Sequence, residues 1–208
     1  MPNSTNSTSS TNSSATVTID VWADLGCPWC YIGSRRLALA LAHEPDGCVV
    51  TRWRSFQLKP DSTLVDVAAT EVGREVGISF DFKRQVKVAD TALAQQAILL
   101  YDGEARQRAV AASLYGAYFE RGLDISDLGV VAEAVAGAAD DEAARIRTRI
   151  EAGASLDRLE ADAIEARLMG ISAVPMYVAA GRVAVHGAQE VEVLRSFLAQ
   201  ARELVTAG

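Results

Sequence analysis

Cys27 and Cys30 stand two residues apart in the stretch GCPWCYIG, residues 26–33, with Pro28 and Trp29 between them. Thiols at that spacing can share a metal, close a structural disulfide or exchange electrons with other thiols. Zinc asks for four protein ligands, or three and an open position. Beyond the pair the chain offers only Cys48, His43 and His186, with no second C-x-x-C, so no metal is expected. Three cysteines make an odd count. In a reducing compartment stable disulfides are rare, and a close pair is catalytic or metal-binding.

The flanking elements favour electron exchange. TVTIDVW (16–22) alternates, with Val17, Ile19 and Val21 on one face, and predicts a strand. After a turn at Asp24–Gly26, the residues Ile32, Leu37, Leu39 and Leu41 predict a helix from Pro28 that ends before Pro45. Proline at the first helical position gives up an N–H that has no partner there anyway. Free N–H groups and the helix dipole favour negative charge at that end, the form in which a sulfur attacks. Cys27 is therefore the candidate nucleophile. Cys30, one turn further in, is expected to remain a thiol until it resolves a mixed disulfide.

EPDG (44–47) is a turn and CVVTRWRSFQL (48–58) a second strand, which gives β-α-β with a crossover long enough for parallel pairing. KPDST (59–63) breaks the pattern, and the Ala-rich chain to about Met169 predicts five or six helices. Helical spacing relates Leu93, Ala97, Leu100 and Tyr101; Val110, Leu114, Ala117 and Tyr118; Val130, Val131, Ala134 and Val135; and Ala163, Ile164, Arg167 and Leu168. Gly103, Gly122, Gly137 and Gly153 mark expected ends or joints. AADDEAARIRTRIE (138–151) reads as a solvated helix face with i,i+4 ion pairs.

Residues 173–187 predict two short strands joined near Gly181-Arg182, and 189–205 a closing helix with Val193, Leu194, Phe197, Leu198 and Ala201 inward. Val174-Pro175 opens the first of these strands, where a proline needs a reason. A cis X–Pro bond costs only about 0.5–1 kcal/mol. Placed beside the cysteines, a cis-Pro175 would leave neighbouring backbone groups free to pair with a substrate chain; the alternative is a trans proline at a sheet edge.

Of 208 residues, 50% are hydrophobic and 23% charged, ordinary globular composition. The net charge of −7, with 20 basic residues scattered among 27 acidic ones, argues against a nucleic-acid partner. Residues 1–15 are almost entirely Ser, Thr and Asn and read as a disordered tail, without the basic and apolar regions of a secretion signal. No apolar run reaches the roughly 18 residues a membrane span needs. The expectation is a cytoplasmic protein.

DVWADLGCPWCYIGSRRL, VVTRWRSFQLKPD, ISFDFKR and GISAVPMYVAAGRVAVHGAQEVEVL together resemble the DsbA-like thioredoxin-fold oxidoreductases, and among them the FrnE-type branch, over about residues 17–205. The resemblance implies an α/β protein: a thioredoxin fold (β-α-β … β-β-α) from residues 16–60 and 171–206, interrupted by an all-helical insertion over 61–170. It implies disulfide exchange at Cys27 and Cys30, a cis-Pro175, and a substrate surface at Pro28, Trp29, Val174 and Pro175. The same superfamily holds kappa-class glutathione transferases and 2-hydroxychromene-2-carboxylate isomerases, which typically carry Ser at the first cysteine. This chain keeps both cysteines and has GAQE before its last helix. It departs from the branch at Asp90, Ala92, Leu93 and Gln96, which bears on the substrate groove rather than on the thiols. Pro-Trp between the cysteines, instead of the Pro-His of strongly oxidising relatives, implies a less extreme potential.

Asp24 is either a candidate for proton transfer with Cys30 or a solvated turn residue capping the helix. Asp20, opposite Val17, Ile19 and Val21, is expected at the surface or paired. Trp29 is expected to rim an exposed thiol and Tyr31 to pack. Trp53, Phe56 and Leu58 line a groove or fill the core, the usual place for such strand residues. His186 is expected to be structural or solvent-facing, and Cys48 a small buried hydrophobe. The function expected is thiol–disulfide exchange with protein or small-molecule thiols, served by a cellular reductant or oxidant. No tightly bound cofactor is expected, with glutathione a candidate co-substrate, no membrane partner, and a monomer or homodimer. A glutathione-dependent isomerase or transferase of small aromatic substrates, and a redox-silent chaperone-like binding module, are the alternatives.

Overall fold

The structure is a computed structural model, described here for residues 16–58, 66–85 and 88–206. The tail over 1–15 and the break at 59–63 lie outside the described residues. β1 (Val17–Ala23) is followed by α1 (Pro28–Leu41) and β2 (Val49–Ser55). Then come α2 (Val67–Glu75), α3 (Ala92–Leu99), α4 (Glu104–Tyr115), α5 (Leu128–Ala139), α6 (Ala143–Glu151) and α7 (Leu156–Leu168). β3 (Met176–Ala179), β4 (Val183–His186) and α8 (Val191–Thr206) close the chain. The described helices between β2 and β3 number six, and α4 runs on into a π-helical turn over Gly116–Glu120.

One four-stranded sheet has the order β2-β1-β3-β4. β1 pairs parallel with β2, from Val17↔Val49 to Ala23↔Ser55, and antiparallel with β3, where Trp22 faces Met176. β3 and β4 form the predicted hairpin. The register places the site: the carboxyl end of β1 leads to the cysteines, and the residues just before Met176 arrive at that same end from the other direction.

The alternation in β1 separates two layers. Val17 and Ile19 join Val49, Tyr177 and Ala179 beneath Leu37 and Ala40 of α1 and Leu194, Phe197, Leu198 and Ala201 of α8. Trp22 and Val178 point the other way, against Ala166 and Ile171. The largest core cluster belongs to the intervening helices, and Ala23, Leu25, Cys27, Cys30, Tyr31 and Trp53 pack into it. The thiols thus sit on the seam between sheet and helices.

Four details differ from the sequence expectation. Val193 is 43% exposed, because α8 turns Leu194 and Leu198 inward instead. α7 buries Asp162 and Ala166 and leaves Ile164 exposed and Leu168 83% exposed. The cause is Arg54 on β2, which holds Asp162 at 2.6 Å and also Glu165, while Ser55 N–H donates to Asp162 at 2.8 Å. Ion pairing, not apolar periodicity, chooses the inward face. Residues 138–151 are not one helix: Asp140, in the left-handed conformation, ends α5, and Asp141 pairs with Arg145 and accepts from Tyr101. Gly137 lies inside α5, whereas Gly103, Gly122 and Gly153 have positive φ at joints as expected.

Asp162→Ala should cost about 1.5–3 kcal/mol, the range for a hydrogen bond to a charged group, because it orphans the Ser55 N–H while Arg54 keeps Asp20 and Glu165. Urea unfolding midpoints measure the loss; an unchanged midpoint would show that α7 docks by other contacts.

Candidate functional site

β1 ends in Ala23, and Asp24 begins the turn into α1. Cys27, with φ −99° and ψ 112°, is the N-cap of α1, and Pro28 is its first residue. The Cys27 sulfur takes the place of a capping oxygen: Cys30 N–H donates to it at 3.2 Å. Both cysteines are free thiols, Cys27 6% exposed and Cys30 1%. Burial, then a hydrogen bond and the charge of Cys27, push the Cys30 thiol well above its ordinary range, and a backbone hydrogen bond at Asp24 pulls weakly the other way. The two sulfurs are therefore chemically unlike: one caps a helix N-terminus and accepts a backbone N–H, while burial favours the protonated form of the other beneath it.

Across from them the Val174–Pro175 peptide is cis, and the Val174 carbonyl oxygen lies 3.9 Å from Cys27 Sγ. Gly33 lets α1 approach this segment. A Cβ there would meet the Tyr177 hydroxyl inside any allowed contact and Pro175 Cγ at 3.0 Å. The buried Arg36 side chain donates to the Ala188 carbonyl at 2.7 Å and pairs with Glu190 at 2.7 Å, so GAQE (187–190) clamps the same face of α1 one turn further on.

Asp24 is 2% exposed and does not cap the helix. Its Oδ1 accepts from Thr91 Oγ1 at 2.7 Å and Gly26 N–H at 3.1 Å, and its Oδ2 from Leu58 N–H at 2.7 Å. Burial nonetheless outweighs these donors and raises its pKa. Its carbonyl accepts from Cys27 N–H at 3.2 Å and from Tyr115 OH at 3.2 Å. The buried Tyr115 phenol is itself pushed well up, by desolvation and by the charges of Cys30 and Cys27, and so remains a donor.

Trp29 is not a free rim. It is half-buried, and its Nε1 donates at 2.9 Å to Asp66, the N-cap of α2. Tyr31 packs as expected, stacked on Tyr115 at 4.8 Å with its hydroxyl donating to Glu120 at 2.8 Å. Trp53 belongs to the core, with Nε1 donating to Gln95 at 2.9 Å, while Phe56 is half-buried against Trp22 and Leu58 is exposed. Asp20 is paired with Arg52 and Arg54. His186 is exposed, Cys48 is buried, and among the described residues no group of three or more His, Cys, Asp or Glu gathers to hold a metal.

Sequence reasoning missed Thr91, Gln95, Asp66 and Tyr115. Gln95 had a readable signal, an amide in the apolar helix ALAQQAIL; its Nε2 donates to the Ala23 and Phe56 carbonyls, tying the ends of β1 and β2 together. Thr91 precedes that helix but spends its hydroxyl on Asp24 instead of capping it.

Gly33→Ala should destabilise the fold by about 1–3 kcal/mol, as overpacking does, and guanidinium unfolding measures it. A second test uses pH. Asp24 is raised above the ordinary aspartate value of about 3.9. Between that value and its raised one, the folded chain holds a proton that the unfolded chain has lost. The contribution of Asp24 is therefore largest in acid and falls as pH rises through that window. Unfolding midpoints from about pH 3 to about pH 7 should show the wild type losing ground to Asp24→Asn as pH rises; a constant gap would contradict it.

Comparison with known proteins agrees with this architecture. Residues 18–199 match the model of the DSBA-like thioredoxin domain. No curated protein matches the sequence. A probable DsbA oxidoreductase from Streptomyces coelicolor superposes with a TM-score of 0.75 at 25% identity, over 89% of each chain. A 2-hydroxychromene-2-carboxylate isomerase superposes at 0.73 with 14% identity, over 92% of this chain and 99% of the other. The cytosolic disulfide reductase DsbM from Pseudomonas aeruginosa, also solved with GSH, superposes at 0.69 with 18% identity over 90% and 99%. With residues 18–199 matched, most of its length, the chain belongs to the family of DSBA-like thioredoxin domains.

Proposed function

We propose that the protein is a thiol–disulfide oxidoreductase of the FrnE type, with Cys27 as nucleophile, Cys30 as resolving thiol, and Pro28, Trp29, Val174 and Pro175 forming the surface that meets the substrate. The observation that carries this reading is the inequality of the two sulfurs: Cys27 caps α1 while the thiol of Cys30 is pushed up beneath it. Cys27 thiolate attacks a substrate disulfide, forming a mixed disulfide and releasing one substrate thiolate. That step consumes the charge and the acceptor sulfur that had helped raise Cys30. Cys30 then ionises and attacks Cys27 Sγ, releasing the second substrate thiol and leaving a Cys27–Cys30 disulfide, so the pair has given two electrons to the substrate.

Asp24 is the candidate acceptor of the Cys30 proton. Its raised carboxyl lies close enough for its charge to bear on Cys30, and a base works best with a pKa nearer the operating pH. Glutathione fits as the co-substrate: two molecules return the disulfide to thiols and leave as glutathione disulfide. Likeness to a disulfide reductase solved with GSH supports this, and that neighbour's description as cytosolic supports a cytoplasmic setting. In this reading residues 16–60 and 171–206 carry the exchange, and 61–170 shape what reaches it. Among the described residues no helix is long and apolar enough to cross a membrane.

Insulin reduction with glutathione as reductant should fall to background in Cys27→Ser. Cys30→Ser should accumulate a mixed disulfide visible by mass, and Asp24→Asn should slow turnover about 10²-fold near neutral pH. Full activity in Cys27→Ser would overturn the mechanism. Glutathione-dependent turnover of a small aromatic substrate, undiminished in Cys30→Ser, would instead favour the isomerase or transferase reading.

A further inference from the structure

On the side of α1 away from the cis-proline segment, a groove of about 250 Å³ opens between α1 and α4 above β1 and β2. None of Cys27, Cys30, Val174 or Pro175 lines it. Its floor is Val21, Leu37 and Trp53, and its α4 wall is small side chains, Ala109, Ala111 and Ala112. Charge is confined to the rim. Glu104 is already satisfied, accepting from Thr51 Oγ1 at 3.0 Å and pairing with Arg108 at 3.1 Å. Arg35 is different. Its Nη2 donates to the Tyr31 hydroxyl at 3.2 Å and its guanidinium lies over the Tyr31 ring, yet among the described residues no carboxylate pairs with it. The rim therefore carries two arginines against one glutamate; Arg35 reaches Glu120 only through the Tyr31 hydroxyl, and its exposed guanidinium turns its remaining donors to solvent.

An apolar floor with one solvent-facing guanidinium free of a direct carboxylate partner at its edge selects a ligand with an apolar body and a single negative end. The size limits that body. Sites for drug-sized ligands run from about 300 to 1,000 Å³, so this groove suits something smaller, such as one ring on a short chain, with Trp53 offering an aromatic partner. We propose that the groove between α1 and α4 is a binding site for small apolar monocarboxylates, separate from the thiol pair, with Arg35 receiving the carboxylate. Two N–H donors of the guanidinium match the two carboxylate oxygens, a geometry that a lysine or a neutral amide does not reproduce. The proposal does not depend on the thiol chemistry.

Calorimetry and intrinsic tryptophan fluorescence with 3-phenylpropionate test it, with 3-phenylpropanamide as the uncharged match. The acid should bind saturably with one site per chain. The amide, and the acid against Arg35→Gln, should bind at least about 10-fold more weakly, the loss of a charge-assisted hydrogen bond. Ala112→Phe, which fills the groove from an exposed helical position, should abolish binding while thermal melting shows it folded, and Cys27→Ala should bind as the wild type does. Equal binding of acid and amide, undiminished binding by Ala112→Phe, or loss of binding in Cys27→Ala would each overturn the proposal. So would the absence of saturable binding at millimolar acid. A dimer in solution that Ala112→Phe splits would assign the groove to a second copy of the chain, and would equally overturn it.

Discussion

Asp24 leaves water at the point where the central strand stops, and an unpaired carboxylate in that position would cost several kcal/mol. The molecule meets this by bringing three donors to it from separate parts of the chain. Leu58 comes from the exit of β2, Thr91 from the approach to α3, and Gly26 from the turn itself. The same residue's carbonyl takes Cys27 N–H and the Tyr115 hydroxyl. One side chain and its peptide thus fix the start of α1, the end of β2 and two of the intervening helices relative to each other. Cys27 can be an N-cap only if that turn is held, and Cys30 can be buried only if α3 and α4 close over it.

The helices between β2 and β3 are for this reason part of the thiol site and not an ornament on it. Trp29, between the cysteines, is tied to the cap of α2; Tyr31, immediately after them, stacks on Tyr115 and reaches Glu120 in the π-helical turn. A π turn widens a helix locally and is often found where side chains must be re-aimed. Here it follows directly on Tyr115 and carries Phe119 into the same aromatic cluster. A change in how these helices pack would be felt at both sulfurs, through burial of Cys30 and through the position of Trp29.

The sheet and the thiol pair were legible in the sequence because both obey short-range rules. Alternation gave β1, proline at the first helical turn gave α1, and two β-branched runs around Gly181 gave the hairpin. The rest was hidden for physical reasons that differ from residue to residue. Asp24 looks like any turn aspartate, since the donors that bury it are 34 and 67 residues away. The inward face of α7 could not be found from hydrophobic spacing, because Asp162 turns inward to an arginine while Leu168 faces out. Gln95 of α3 stands as a misfit in an apolar run, but its partners, the main-chain ends of two strands, leave no mark in the sequence. Long-range polar contacts leave no period in the sequence.

The fold by itself does not decide the reaction. The same arrangement of sheet and helices superposes on a probable oxidoreductase, on an isomerase and on a disulfide reductase, so the chemistry must be argued from the groups at the end of β1. What those groups have in common is a division of labour enforced by position along one helical turn. The sulfur at the N-cap accepts the Cys30 N–H and lies at the positive end of α1. The sulfur three residues later has lost solvent and gained a neighbouring charge. A serine at the first position would keep the cap but lose the attacking sulfur, and a solvent-exposed second cysteine would compete with the first for the substrate. In the proposed exchange, a nucleophile at the cap with a buried thiol behind it lets the product of the first step relieve the charge that restrains the second.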